Sequence, residues 1–104
     1  MAGKKKHRFH DGRSGSAIRV HVILMASENH IERVTADGVV QIAMKNQVLD
    51  EGLNRDLLSF LSWVLGVKIS DLEVIGGENG MDKLITVIGI NPDQMQVILN
   101  TALN

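Results

Sequence analysis

The stretch most suggestive of chemistry is a glycine-rich segment in the second half of the chain. Residues 76–80 read GGENG, and Lys83 opens the β-branched run that follows. A phosphate-binding loop needs several converging backbone N–H groups, usually at a helix N-terminus, and a nearby cation. Here two carboxylates, Glu78 and Asp82, would repel a phosphate. The pattern therefore favours a hairpin loop whose glycines adopt positive φ angles.

A second candidate is Asn54, whose helical angle places it on the apolar side of a predicted helix. A buried amide without a hydrogen-bond partner costs about 1–3 kcal/mol, so a partner is expected. In one interpretation, Asn54 ties the helix start to the backbone of a neighbouring loop, such as GGENG. In the other, Asn54, Glu78 and Lys83 form a polar pocket, with Glu78 as a base and Lys83 stabilising an anion. No nucleophile or metal-ligand set accompanies these residues, which favours the first interpretation.

The remaining residue types restrict the chemistry further. The chain contains no cysteine, so thiolate nucleophiles, disulfides and cysteine-ligated metal sites are excluded. The histidines are scattered: His7 and His10 near the N-terminus, His21 on a predicted strand and His30 in a predicted turn. His7 and His10 have a spacing that a transition metal accepts. We nevertheless predict no metal site and no cofactor.

The N-terminal segment is basic, whereas the rest of the chain is acidic. Residues 1–22 contain six basic residues and one acidic residue, and the remainder contains five basic and eleven acidic residues. We predict a disordered tail over residues 1–15, because so few large apolar side chains cannot offset the entropy of ordering. Nucleic acid would be contacted by the basic residues Lys4, Lys5, Lys6, Arg8 and Arg13. The alternative is a tail that only adds solubility.

Hydrophobic periodicity predicts the strands that position these residues. From residue 16, apolar and polar residues alternate in the manner of a strand. An Asp-Gly pair between two β-rich runs predicts a hairpin, with strands near 33–36 and 39–44. Two more strands are predicted at DLEVI (71–75) and KLITVIGI (83–90), on either side of the glycine-rich loop.

Two helices are also predicted. Asp50 is placed to cap the first helix, and Gly66 is placed to end it. Trp63 is expected at the margin of its apolar face and packed in part. That face contains Leu53, Leu57, Phe60, Leu61, Val64 and Leu65. In the second helix, Asn91 is the expected N-cap and Pro92 the first residue.

The order of elements, with the stretches LDEGLNRDLLSFLSWVLGV and IGGENGMDKLITVIG, resembles the YggU-like family of small uncharacterised proteins. The resemblance covers residues 16–104. It implies an α/β fold of the α+β type: a two-layer sandwich with a mixed four-stranded sheet and both helices on one face, in the order β-β-α-β-β-α. It implies no established activity. The matching positions are Asp50, Asn54, Leu57, Leu58, Gly77, Glu78 and Lys83.

The chain departs from the family pattern at positions that are usually proline or basic. Gln47 and Val48 stand where the family has prolines before the helix. Met81 and Glu28 occupy positions that are often basic. This loss of positive charge argues against phosphate or nucleic-acid binding at this end of the domain.

These observations predict one domain, over residues 16–104, that acts as a small non-enzymatic binding or accessory module. No apolar run approaches the roughly 20 residues of a membrane span, and no secretory signal is recognised. A cytoplasmic monomer without membrane association is therefore expected. Two alternatives stay open: weak binding of RNA or DNA through the basic tail, and an enzyme that uses the polar pocket. The sequence predicts no particular ligand or protein partner.

Overall fold

The computed structural model describes residues 15–103 and shows an α+β fold with a mixed sheet and two helices. The strands are β1 (Gly15–Ile23), β2 (His30–Val34), β3 (Val39–Ala43), β4 (Leu72–Gly76) and β5 (Asp82–Ile88). The helices are α1 (Glu51–Leu65) and α2 (Pro92–Leu103), and a short 3-10 turn, Ile69–Asp71, precedes β4. The predicted tail, apart from Gly15, lies outside the described residues.

The sheet has five strands, which corrects the prediction of four. The count of four is what the family resemblance implies, whereas both arms of the predicted hairpin belong to the sheet. β3 pairs with β2 on one edge and with β1 on the other, so β2 becomes an additional edge strand. The element order is therefore β-β-β-α-β-β-α. The hairpin turn lies where predicted, with Gly38 at a φ of +87°.

The strand order β2-β3-β1-β5-β4 places β1 at the centre of the sheet. β1 runs parallel to β3 and antiparallel to β5. Gly15 pairs with Ile88, and His21 pairs with Asp82 at the other end of the same ladder. The chain therefore enters β1 at the opposite end of the sheet from the loop between β4 and β5.

One face of the sheet and both helices share a single aliphatic core. Alternate residues of β1 point into this core, and α1 presents a leucine every fourth residue. The two helices also contact each other, so both lie on the same face of the sheet. Each fully buried aliphatic side chain contributes about 1.5–3 kcal/mol. From β1 and the helices the core includes Ile18, Val20, Val22, Leu53, Leu57, Leu61, Leu65, Met95 and Leu99.

The helix ends are capped as the sequence predicts. The Asp50 carboxylate accepts a hydrogen bond from the Leu53 N–H at 3.0 Å. Gly66 ends α1 in the left-handed conformation, with a φ of 70°. At the start of α2, the Asn91 side chain accepts from the Gln94 N–H at 2.8 Å, and the Gln94 side chain accepts from the Asn91 N–H at 2.9 Å. This reciprocal pair satisfies two N–H groups that a helix start leaves free.

Among residues 15–103, neither helix has the length and hydropathy needed to cross a bilayer.

Candidate functional site

The structure brings the three predicted pocket residues together beside the loop between β4 and β5. Asn54 lies in the first turn of α1, and its Nδ2 donates to the Glu78 carbonyl oxygen at 2.9 Å. The Lys83 Nζ donates to the same carbonyl oxygen at 3.1 Å and to the Gly77 carbonyl oxygen at 3.2 Å. Asn54, Gly77, Glu78 and Lys83 are called the loop cluster below.

Lys83 lies on the core face of the sheet, because it pairs with the buried Val20 of β1. Only 4% of the residue is exposed. Burial lowers the pKa of Lys83 below its ordinary value of 10.5, and the charge of Glu78 offsets part of this shift. The ammonium group therefore serves as an internal tie that holds two loop carbonyls.

Asn54 is a second tie to the same loop. Its orientation is fixed, because a flipped amide would place Oδ1 against the carbonyl oxygen of Glu78, and two acceptors repel. The Oδ1 atom itself is buried and has no hydrogen-bond partner. An unsatisfied acceptor of this kind costs about 1–3 kcal/mol. The amide therefore joins the start of α1 to the loop at some expense in stability.

The loop requires glycine at one position. Gly77 has a φ of +71°, and a Cβ atom there would lie 1.9 Å from the carbonyl oxygen of Asp82. The predicted positive φ is thus confirmed at Gly77, whereas Gly80 does not adopt one. The Gly80 N–H donates to the Gly77 carbonyl oxygen at 3.1 Å, which closes the turn. The loop is a tightly held chain reversal.

The cluster does not present a base and a cation to a common substrate. The Glu78 side chain is exposed, and only its backbone carbonyl joins the hydrogen bonds of the cluster. Lys83 is buried, and its ammonium group donates to that carbonyl oxygen. This arrangement stabilises the loop, which is the first of the two interpretations of Asn54.

The other predicted candidates are dispersed. The His21 Nδ1 and Asp82 Oδ1 atoms lie 2.7 Å apart. His30 is the first residue of β2 and not part of a turn; its ring nitrogens contact the Glu28 carbonyl oxygen at 3.0 Å and the Glu32 carboxylate at 2.8 Å. Both contacts raise the pKa of His30 above 6.5, and the contact with the Glu28 carbonyl has the larger effect. Within residues 15–103, no group of three histidine, aspartate or glutamate side chains is arranged to hold a metal ion.

The candidate nucleic-acid contacts and the two N-terminal histidines lie outside the described residues. They are Lys4, Lys5, Lys6, Arg8, Arg13, His7 and His10.

A second polar site, which the sequence patterns did not single out, lies along one side of α1. This Trp63 groove is shallow, open to solvent and about 770 Å³ in volume. Small-molecule sites span roughly 300–1,000 Å³. A smaller depression of about 490 Å³ continues from Trp63 towards His30 and Ala102. The groove is lined by Asn29, Lys45, Asn46, Gln47, Asp56, Ser59, Phe60 and Trp63.

Trp63 is 81% exposed, which corrects the expectation that it is packed in part. The buried seam of α1 passes through Leu61 and Leu65. Trp63 is two residues from each, a rotation of about 200° around the helix, so its side chain projects away from the core. The helical stripe Asp56, Ser59, Trp63 was a signal for this groove, since residues three and four apart share one side of a helix.

Two hydrogen bonds hold the wall of the groove opposite α1. The Asn46 Nδ2 donates to Asp56 Oδ2 at 2.9 Å, and the Asn29 Oδ1 accepts from the Lys45 backbone N–H at 2.8 Å. In the described part of the chain, the side chains of Lys45, Gln47 and Ser59 have no hydrogen-bond partner. The groove therefore has a fixed frame and polar groups that are free to bind.

No family model matches the chain. The resemblance to the YggU-like family therefore stays a prediction. The structure itself defines an α+β domain with a closed loop cluster at one end of the sheet and an open groove along α1.

Proposed function

We propose that this protein is a small, non-catalytic binding module of YggU-like fold that binds its ligand in the Trp63 groove. The observation that carries the proposal is Trp63, 81% exposed, beside the side chains of Gln47 and Ser59, which have no hydrogen-bond partner within residues 15–103. Tryptophan is favoured in binding sites because one rigid side chain offers a large apolar face and an N–H donor.

The loop cluster supports the non-catalytic part of the proposal. A general base and a cation must reach the substrate to contribute to catalysis. The amide of Asn54 and the ammonium group of Lys83 donate instead to backbone carbonyls. Their hydrogen bonds hold the loop in place and leave little donor capacity for a substrate.

Chemical shift mapping tests the location of the site. Amide and indole resonances would be recorded while sugars, amino acids and nucleotides are added in separate pools. We expect the shifts to concentrate at Trp63, Gln47 and Asn29, and to disappear in Trp63→Ala. Val97→Ala is the matched control, because Val97 is a 64% exposed apolar residue on α2 and does not line the groove. Shifts confined to residues 77–83, or none with any pool, would contradict the proposal.

The enzyme alternative is tested at the loop cluster. A hydrolase and phosphatase screen would compare the wild-type protein with Glu78→Gln and Lys83→Met. The proposal expects equal background activity in all three. Turnover in the wild-type protein that both substitutions abolish would establish the enzyme alternative instead.

The second alternative is weak binding of RNA or DNA through the tail, and the charge asymmetry of the sequence is what favours it. Such binding weakens with salt, with a slope of about −0.7 per phosphate neutralised on a single strand. The full chain would be compared with a chain that begins at Gly15. A loss of affinity and of salt dependence in the shorter chain would support tail binding, and equal affinity would remove the tail from consideration.

The cytoplasmic location and the monomeric state complete the proposal as predictions from the sequence. Sedimentation analysis of the full chain measures the second directly, and a stable dimer would contradict it.

A further inference from the structure

We infer that the ligand of the Trp63 groove is a carbohydrate, specifically a short neutral oligosaccharide. This inference deepens the proposed function and rests on it. Three features of the groove support it: the exposed indole, the kind of polar groups around it and the balance of charge.

The indole supplies an apolar platform. A sugar ring has a face of C–H groups with partial positive charge, and these pack against the negative face of an aromatic ring. Trp63 is carried on a 15-residue helix, so its position is fixed by the packing of α1. The half-buried Phe60 lies one turn away on the same side and extends the apolar floor of the groove.

The polar groups match hydroxyl chemistry. A sugar hydroxyl both donates and accepts hydrogen bonds, and it is best bound by groups that also do both. The carboxamide of Gln47 and the hydroxyl of Ser59 have this property, and neither has a protein partner among residues 15–103. Asp56 uses Oδ2 to accept from Asn46, and its other oxygen is available to accept from a ligand hydroxyl.

The charges favour a neutral ligand over a nucleotide. The ionisable side chains that line the groove are Lys45 and Asp56, which have opposite charges. A phosphate needs a net positive site, and the Asp56 carboxylate would repel it. The smaller depression beyond Trp63 adds only His30, which is already paired with Glu32. A hydroxyl-rich neutral molecule meets no such penalty.

The length of the site indicates more than one sugar unit. The groove and the smaller depression share Asn29, Phe60 and Trp63. A ligand centred on Trp63 can therefore contact residues on both sides of the indole. A shallow site of this kind binds weakly, since little of the ligand is removed from water.

The protein contains one tryptophan, so its fluorescence reports on this groove alone. The full chain would be titrated with maltotriose, cellotriose and the neutral triacetylchitotriose, and with AMP as the nucleotide probe. We expect at least one trisaccharide to shift the emission to shorter wavelength in a saturable way and to protect Trp63 from acrylamide. Gln47→Ala and Ser59→Ala keep the fluorophore, and the affinity is expected to fall about tenfold in at least one of them, which corresponds to about 1.4 kcal/mol. Val97→Ala should bind as the wild-type protein does.

Each other outcome overturns the inference. A response to AMP without a response to any trisaccharide would reject a carbohydrate ligand but leave the binding-module proposal intact. No response to any probe would reject a carbohydrate ligand. The chemical shift mapping with pools of sugars, amino acids and nucleotides would then test whether the groove binds any ligand. A saccharide response unchanged in both Gln47→Ala and Ser59→Ala would show non-specific contact with the indole.

Discussion

The loop cluster and the Trp63 groove are built from the same residue types and behave in opposite ways. Each has an asparagine, a lysine and an acidic residue, and both lie against α1. In the loop cluster, Lys83 is buried and donates to two backbone carbonyls. In the groove, Lys45 is exposed and has no side-chain partner within residues 15–103. Burial, and not residue type, decides whether such a group stabilises the fold or is available to a ligand.

The largest expected effect is at Gly77. In Gly77→Ala, the new Cβ atom would lie 1.9 Å from the carbonyl oxygen of Asp82, in a left-handed backbone conformation. The loop must therefore move, and we expect the free energy of unfolding to fall by roughly 3 kcal/mol or more. Urea denaturation measures the change. Gly80→Ala is the control in the same loop, because its Cβ would meet nothing closer than 3.9 Å, and a change within about 0.5 kcal/mol is expected. Equal effects of the two substitutions would contradict the close approach at Gly77.

The next effect compares the two lysines. Lys83→Met keeps most of the buried stem but leaves the Gly77 carbonyl without its Lys83 donor, so we expect a loss of about 1–2 kcal/mol. Lys45→Met makes the same change on an exposed residue and should alter stability by less than about 0.5 kcal/mol. Denaturation midpoints measured side by side test this difference. If Lys83→Met were as stable as Lys45→Met, the hydrogen bonds of the Lys83 ammonium group to the loop carbonyls would not stabilise the fold.

The pH dependence of stability separates the same two lysines further. Burial lowers the pKa of Lys83, so the folded protein loses this proton at a lower pH than the unfolded chain does. Between the folded-state pKa and 10.5, the unfolded chain binds more protons, and the stability of the folded state therefore rises with pH. As the pH rises through the folded-state pKa of Lys83 towards 10.5, the wild-type protein should gain stability relative to Lys83→Met. Lys45→Met retains Lys83, so it should show the same gain relative to Lys83→Met. Parallel curves for wild type and Lys83→Met would contradict the lowered pKa.

The smallest effect is at His30, in the smaller depression beyond Trp63. The pKa of His30 is raised by its contact with the Glu28 carbonyl oxygen and then by the Glu32 carboxylate. Glu32→Gln removes the negative charge of this carboxylate but leaves the contact with Glu28, so the pKa of His30 should fall part of the way towards 6.5. The contribution to stability is present below pH 6.5 and is lost as the pH rises through the folded-state pKa. An NMR titration of the His30 ring measures the shift, and an unchanged pKa would show that Glu32 is not its partner.

Local patterns predicted much of the fold. The Asp-Gly hairpin, the caps at Asp50 and Asn91 and the glycine end of α1 each depend on a few neighbouring residues, and each is confirmed. The number of strands in the sheet was wrong, because the resemblance implies four, whereas both arms of the predicted hairpin belong to the sheet through the pairing of β3 with β1. That pairing joins segments distant in the chain, which periodicity does not report.

At the two sites, too, the sequence patterns predicted what a single residue requires and missed the groove formed by distant segments. The position of Asn54 on an apolar arc predicted a tie to the glycine-rich loop, because a buried amide requires a partner. The Trp63 groove was not predicted, because its lining comes from three separate parts of the chain: residue 29, residues 45–47 and α1. Trp63 alone looked like a marginal core residue, and its exposure depends on where the leucine seam of α1 meets the sheet.

The sequence by itself determined both helices and their caps, the Asp-Gly hairpin, the absence of thiol chemistry and the need for glycine in the reversal between β4 and β5. These follow from short-range sterics, hydrogen bonding and residue type, which act over a few positions. Only the tertiary structure decided which lysine is buried, which strand lies at the edge and which side of α1 stays open. Those properties depend on how distant segments share one aliphatic core, and burial is set by the whole packing arrangement.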